Sequence, residues 1–521
     1  MPYHAWPLLS TLRATLALEL EFPYLNLSAL FLSSALLLHA QNLQEFAKNV
    51  TEFTLPNGLH FIVCERHQAP VVSFHTYVNA GAVDDPTGKT GLAHMFEHMA
   101  FKGTESIGST NWPEEKKALE AVERAYDRLD QERDKGPRAD KARITKLEEE
   151  VKADMEKANT YVEQNLYPRL IEESGGVGLN ASTGEDYTNY FYNLPANRVE
   201  LWFLLESGRF IRPVFREFYK ERDVVREERR MRTESDPQGK LMEVFTSTAF
   251  EAHPYHRPAI GWSSDIENLR LSDAEAFFNK YYVPGNITIS IVGNVNAANM
   301  KRMAEKYFAA IPKRPLPSPV ITVEPAQEGP KQAQVESASQ PIEFIGYKRP
   351  DQYDKDDATF DVISHLLSGG RTALLYKDLV RDKKIALAAG ADPTFPGGKY
   401  PGLFLFYLVP GMGKSLDENE KAFYAVLERL KKDPIDAASL KRVKTKARAT
   451  LIRQLDSNSG LAQLLASGYA NYGDWRKVFT DVDDIDKVSA GDVQRVANQY
   501  FNYASRTSAW LVAPKVTAGA K

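Results

Sequence analysis

Two histidines four residues apart, His94 and His98, constrain this chain more than any other pair of its side chains. They lie in Gly91-Leu92-Ala93-His94-Met95-Phe96-Glu97-His98-Met99-Ala100-Phe101. On a helix that spacing stacks both imidazoles on one face, one turn apart. Leu92, Met95, Phe96 and Met99 supply an apolar face, Thr90 is the expected N-cap, and Gly103 stands just past the end. Two imidazoles on such a platform can hold one Zn²⁺. Glu97 leans toward the same point and can take a proton from a water activated there. The competing reading is a core helix that carries two histidines by chance. Only 10 of the 521 residues are His, which makes a chance match to this order rare.

Two histidines and a water leave a catalytic zinc one protein ligand short, and His, Asp or Glu is the usual third. The segment Glu221-Arg222-Asp223-Val224-Val225-Arg226-Glu227-Glu228-Arg229-Arg230-Met231 reads as a helix with Val224 and Val225 as its buried stripe. Glu221 and Glu228 are seven apart and share a face, while Glu227 points away from it. This assigns Glu228 as the third ligand. Glu221 becomes a supporting carboxylate beside it, counted with Glu97 among the catalytic residues. Taken alone, the segment also suits a solvated charged helix.

His94-x-x-Glu97-His98, followed by Glu221-Arg-x-Val-Val-x-x-Glu228, resembles the pitrilysin family, whose members include insulin-degrading enzyme and the mitochondrial processing peptidase. Phe101-Lys102-Gly103-Thr104 and Asn180-Ala181-Ser182-Thr183 match it too, and the resemblance runs from about Phe53 to about Val512. It implies an α+β fold of two homologous domains, each an antiparallel-rich β-sheet covered by helices, that form half of a clam-shell chamber. It also places Asn180 and Ala181 on an edge strand beside the zinc, where an extended substrate adds itself as a further strand.

A chain of 521 residues holds two or more cores. The net charge of −4 argues against a nucleic-acid binder and gives no reason to invoke an anionic membrane. Cys64 is the only cysteine, so no intrachain disulfide forms. Residues 1–40 read as a signal peptide. Leu27–Leu38 is an apolar run too short to span a bilayer, and Leu38-His39-Ala40 before Gln41 resembles a cleavage site, although the basic region is poor. Export to the periplasm or the medium is the expectation, with no stable membrane span.

The first domain is expected over 50–312. It opens with a β-hairpin, Thr51–Leu55 and Leu59–Val63 about Asn57-Gly58, followed by a strand from Val71 to Val78 in which His75 is structural. Residues 111–165 are rich in charge, with Leu119, Val122, Tyr126 and Leu129 and then Leu147, Val151, Met155 and Ala158 at helical spacing. Lys135-Gly136-Pro137 breaks the two runs, giving an inserted helical hairpin, either a solvated strut or a docking arm for a partner. A proline-stiffened linker over 313–334 leads to a second domain over 335–512. The halves read as copies. Ser73–Tyr77 lines up with Glu343–Tyr347, and His94, Glu97 and His98 then fall opposite Ser364, Leu367 and Ser368, a helix without the metal chemistry.

These features predict a zinc-dependent endopeptidase with one Zn²⁺ per chain, acting on peptides or unfolded polypeptide segments. The alternative is a non-catalytic assembly subunit of the same fold. Active members of the family supply an Arg and a Tyr from a second-half domain. Here Val380 takes the Arg place, with Arg381 one residue away, and Leu387 takes the Tyr place. The resemblance therefore implies a homo- or hetero-oligomer in which a related subunit brings the missing pair.

Overall fold

A computed structural model describes residues 46–514. The described residues divide into two units, one ending at Asn49 and one starting at Val50. The first shows a single helical turn over 46–49, closed by Asn49 N donating to Phe46 O at 3.0 Å. The signal-peptide stretch lies outside the described residues, and among those no helix is long and apolar enough to cross a membrane.

The second unit contains two sheets. The first consists of β1 (Val50–Thr54), β2 (His60–Glu65), β3 (Val71–Val78), β4 (Val177–Thr183), β5 (Thr188–Pro195) and β6 (Ile287–Gly293), in the order β1-β2-β6-β3-β5-β4. β1 and β2 form the hairpin expected at Asn57-Gly58, with Thr54 opposite His60. The second sheet consists of β7 (Lys331–Glu336), β8 (Ile342–Arg349), β9 (Ala386–Phe395), β10 (Gly402–Pro410) and β11 (Arg506–Val512), in the order β7-β11-β8-β10-β9. Apart from β1, the two repeat one topology. Each has a single parallel pair, β2 with β6 and β7 with β11, followed by three antiparallel neighbours ending on an edge strand, β4 or β9.

Helices cover both faces. In the first half these are α1 (Leu92–Met99), α2 (Trp112–Arg133), α3 (Lys141–Asn159), α4 (Val199–Ile211), α5 (Phe218–Arg229), α6 (Pro237–Ala249), α7 (Leu271–Tyr281) and α8 (Ala297–Phe308). The second half contributes α9 (Asp357–Ser368), α10 (Leu416–Lys432), α11 (Ala437–Asp456), α12 (Asn458–Tyr472) and α13 (Ala490–Tyr500). Val72, Phe74 and Val78 alternate along one face of β3 and enter the core beneath α1, α4, α7 and α8, with Phe74 stacked on Trp202 at 4.6 Å. Each fully buried side chain of this size contributes roughly 1.5–3 kcal/mol.

The opposite faces are covered by exchange. α6 crosses to the second sheet, where Leu241, Phe245 and Ala249 pack with Ile342, Phe344, Leu403 and Leu511. α12 crosses to the first, stacking Tyr469 on His60 at 3.5 Å and taking a hydrogen bond from Tyr77 Oη to Asn471 Oδ1 at 3.3 Å. The ranges 50–312 and 335–512 thus enclose the first sheet and most of the second, but each sheet is covered in part by a helix of the other range. The second sheet also starts earlier, because β7 opens at Lys331.

Burial corrects the register between the halves by one residue. Phe74 faces Trp202 in the first core, whereas Phe344 faces Phe245 of the exchanged α6. With a side-chain period of two, the residue on the face of Phe74 is Ile345, which lies in the core of α9, α10 and α13. Carried forward, His94, Glu97 and His98 fall opposite His365, Ser368 and Gly369. One histidine survives there, without its pair or its carboxylate.

The hairpin over 111–165 is present as α2 and α3, broken at Gly136–Arg138. It is neither a free strut nor a free arm along its length. Tyr126 of α2 stacks on Tyr219 of α5 at 3.7 Å. Arg270 donates to Tyr219 Oη and pairs with Glu123, Asp127 and Asp130.

Candidate metal centre

α1 starts after Gly91, whose φ of +93° suits glycine. A Cβ there would lie 2.7 Å from the Ile260 carbonyl oxygen. Thr90 is not the cap. Its hydroxyl donates to Asp265 Oδ2 at 2.7 Å and accepts from Trp262 N at 2.8 Å. The free N–H groups of the first turn are met by Asp85, which accepts from Gly91 N at 2.7 Å and Ala93 N at 2.9 Å. Burial drives the Asp85 pKa up to about 8, although both N–H groups pull it down.

The loop after α1 is fixed by Arg216, which is 1 % exposed. Its guanidinium pairs with the buried Glu115 of α2 at 2.7 Å and donates to the carbonyls of Lys102, Thr104 and Ile107 at 2.5, 2.7 and 3.0 Å. Lys102 is thereby aimed at α5, reaching Glu217 at 2.9 Å and Glu221 at 2.5 Å.

α5 lays its carboxylates across α1. Val225 is fully buried, but Val224 is 43 % exposed, so the expected stripe is one residue wide. Glu228 Oε2 stands 3.2 Å from His98 Nε2 and 3.6 Å from His94 Nε2. Glu221 Oε2 stands 3.4 Å from His98 Nδ1. Glu227 points to solvent and pairs with Arg230. The helical-face reading of these three glutamates therefore matches their positions.

His94, His98 and Glu228 offer ligand atoms that all lie within 4.8 Å of one another, and no other such group occurs among the described residues. Donors about 2.0–2.2 Å from a tetrahedral zinc stand roughly 3.3–3.5 Å apart, so the spacings of 3.2 and 3.6 Å fit the ion. Burial holds the His94 pKa down at about 3, which leaves a neutral imidazole with a free lone pair, and its Nδ1 has no partner. Burial also disfavours charge on His98, but hydrogen bonds to Glu221 and Glu228 carry its pKa up to about 9. Glu228 is buried, yet His98, His94 and Arg232 hold its carboxyl at about 2.

Glu97 lies beside this group. Burial raises its pKa, opposed by His98 and by hydrogen bonds from Thr183. Thr183 closes β4, which runs along α1, and its hydroxyl donates to Ala93 O at 3.4 Å. Ala181 is buried and Asn180 half-buried on that edge strand. The structure thus brings His94, Glu97, His98, Glu221, Glu228 and the 180–183 segment together. Sequence reasoning missed Asp85, Arg216 and Arg232, whose partners arrive from other segments; for Arg232 the only local signal is its i,i+4 spacing from Glu228.

This geometry has relatives. A family model described as Insulinase (Peptidase family M16) matches residues 61–126, which hold both histidines and Glu97. A second, Peptidase M16 inactive domain, matches residues 268–447. Two stretches of the chain thus match models of the M16 peptidase family. The chain is 29% identical over 497 residues to a zinc protease, PqqE, of Helicobacter pylori, covering 93% of this chain and 97% of that protein. It is 23% identical to a probable mitochondrial-processing peptidase subunit beta of Arabidopsis thaliana, covering 86% of this chain and 75% of that one. The crystal structure of a protease from Helicobacter pylori superposes with a TM-score of 0.74 at 27% identity, covering 89% of this chain and 99% of that one. The M16 fold and its zinc-protease kinship agree with the resemblance read from the motif.

Proposed function

We propose that the chain is a zinc-dependent endopeptidase acting on peptides or unfolded polypeptide segments. The observation that carries this is the convergence of His94, His98 and Glu228 beside Glu97 and a free strand edge. His94, His98 and Glu228 would hold one Zn²⁺, which when bound supplies Lewis acidity to a water and a substrate carbonyl. Glu221 takes the far nitrogen of His98, which fixes the ring and its tautomer. Glu97 accepts the proton of the attacking water and returns it to the leaving amide nitrogen. Its raised pKa makes the carboxylate a stronger base toward water, while the resulting acid can still return the proton to the leaving nitrogen. Asn180 and Ala181 on β4 would hold the substrate as an added strand, with main-chain hydrogen bonds that disregard sequence.

The second half bears on how the chain works. Val380 is half-buried and Leu387 is 61 % exposed at the start of β9. Neither can donate a hydrogen bond to an oxyanion, and Arg381 is turned to Asp382. A missing oxyanion donor costs a factor of about 10²–10³ in turnover. This supports an assembly in which a related subunit presents the Arg and Tyr. The N-terminal reading supports a periplasmic or secreted site of action.

The test measures zinc content of the purified protein and cleavage of a quenched peptide library with and without chelator, for the chain alone and with a zinc-less relative. Zinc with chelator-sensitive cleavage, raised by the relative, is expected. Zinc without cleavage under any pairing would favour the assembly-subunit reading. Full activity as a monomer would place the missing donors within this chain.

A further inference from the structure

Glu228 divides its carboxylate between two duties. Oε2 faces the two histidines, and Oε1 forms an ion pair with Arg232 Nη1 at 2.7 Å. Glu221 is divided in the same way, with Oε2 toward His98 and Oε1 on Lys102. A carboxylate tied at one oxygen cannot rotate to offer both, so its free oxygen stays where the site needs it.

The backbone of Arg232 is held, while its guanidinium is 42 % exposed. The residue lies in a π-helical turn, Arg230–Glu234, that continues α5 and closes with Ser235 N donating to Arg230 O at 2.8 Å. Such turns are rare and occur often at functional sites. The first turn of α6 presses on it. A Cβ on Gly239 would lie 1.9 Å from Arg232 O, 3.0 Å from Arg232 C and 3.2 Å from Thr233 Cα. All three are backbone atoms, so no rotamer change makes room. Asp236 caps this turn by accepting from Gln238 N and Gly239 N, and α6 then buries Leu241 and Phe245 under the second sheet. A continuous packed path thus runs from the second sheet through α6 and the Arg232 backbone to the third ligand candidate.

We propose that Arg232 is a positioning residue for Glu228, seated by Gly239, so that the metal affinity of the first half depends on how the exchanged helix sits on the second sheet. This rests on the zinc reading given above. Arg232 pairs with Glu228, so its positioning effect passes through the orientation of one carboxylate. Its positive charge also opposes a nearby dication, so the sign of its effect discriminates. Ordering predicts weaker zinc binding on its removal, and repulsion predicts tighter.

The experiment uses the full chain stripped of metal. Zinc affinity is measured by competition with a chelating dye, together with thermal melting of the metal-free protein. Arg232→Gln should weaken zinc by about 10–100-fold at an unchanged metal-free melting transition, Arg232→Lys should recover part of the loss, and the exposed neighbour control Glu227→Gln should bind as wild type. Gly239→Ala should reproduce the Arg232→Gln loss; because its Cβ meets backbone atoms and threatens folding itself, the Arg232 pair carries the decision. Unchanged or tighter zinc in Arg232→Gln, or a loss that only follows a lost melting transition and that Lys does not relieve, would overturn the proposal. Absence of zinc binding in the wild type would instead reject the zinc reading, and this inference with it.

Discussion

Glu97→Gln separates holding a metal from using it. The amide keeps the shape of the side chain but cannot accept a proton, so zinc content should be unchanged while turnover falls by about 10²–10⁴; turnover within tenfold of wild type would remove Glu97 from the role of base. His94→Ala, His98→Ala and Glu228→Gln should each lower zinc occupancy measured by atomic absorption, and Glu227→Gln should not, since Glu227 pairs with Arg230 in solvent. These side chains were legible because helical geometry turns spacings of four and seven into a shared face. Asp85 was not legible as a cap. The rule looks one residue before the helix, which is Gly91 and has no side chain, and Thr90 before it is drawn to Asp265 and Trp262. Val224 was misjudged for a related reason: two adjacent valines mark a stripe, and only packing decides how wide it is.

At the scale of elements, the sequence located α2 and α3 from their 3,4 spacing and the Gly136-Pro137 break, but not what they touch. Tyr126 and Tyr219 are far apart in the chain, as are Glu115 and Arg216, and no local pattern announces their meeting. The Glu115–Arg216 pair is nearly solvent-free, with side chains 0 % and 1 % exposed. Breaking such a pair leaves an uncompensated buried charge and costs about 3–5 kcal/mol. Glu115→Gln and Arg216→Met should both show that loss in denaturant unfolding. The second should also loosen the Lys102 loop, seen as faster amide exchange over 101–107. A loss under about 1 kcal/mol in both would mean that the pair is solvated and that the hairpin is not tied to the centre.

For the whole molecule, Glu324 ties the linker to both halves. Its carboxylate accepts from the backbone N–H groups of Glu251, Ala252 and His253 at 2.8–3.1 Å and pairs with Lys348 of β8 at 3.2 Å. Burial works against this charge, but these donors bring its pKa from 4.5 to about 2. A depressed carboxylate pKa stabilises the fold above the unfolded value, and that contribution is lost as pH falls toward the folded one. Glu324→Gln should therefore cost about 1.5–3 kcal/mol at neutral pH, with the gap to wild type closing between about pH 5 and pH 2. A gap that does not change with pH would mean that the charge is not what binds the linker. The two-sheet fold followed from the family resemblance and the duplication, whereas β7, β9 and β10 and the strand order were not legible in the sequence. Nor was the exchange of α6 and α12, because an amphipathic helix does not state whose sheet it will cover.

That exchange has a bearing on separability. A half whose sheet is covered by a helix of the other half is incomplete alone, so the two are held together by more than the chain that joins them. The linker exposes Leu316, Ile321 and Val323 at 65, 86 and 80 %. A protease cut between Pro317 and Val323 should accordingly give two fragments that still migrate as one particle.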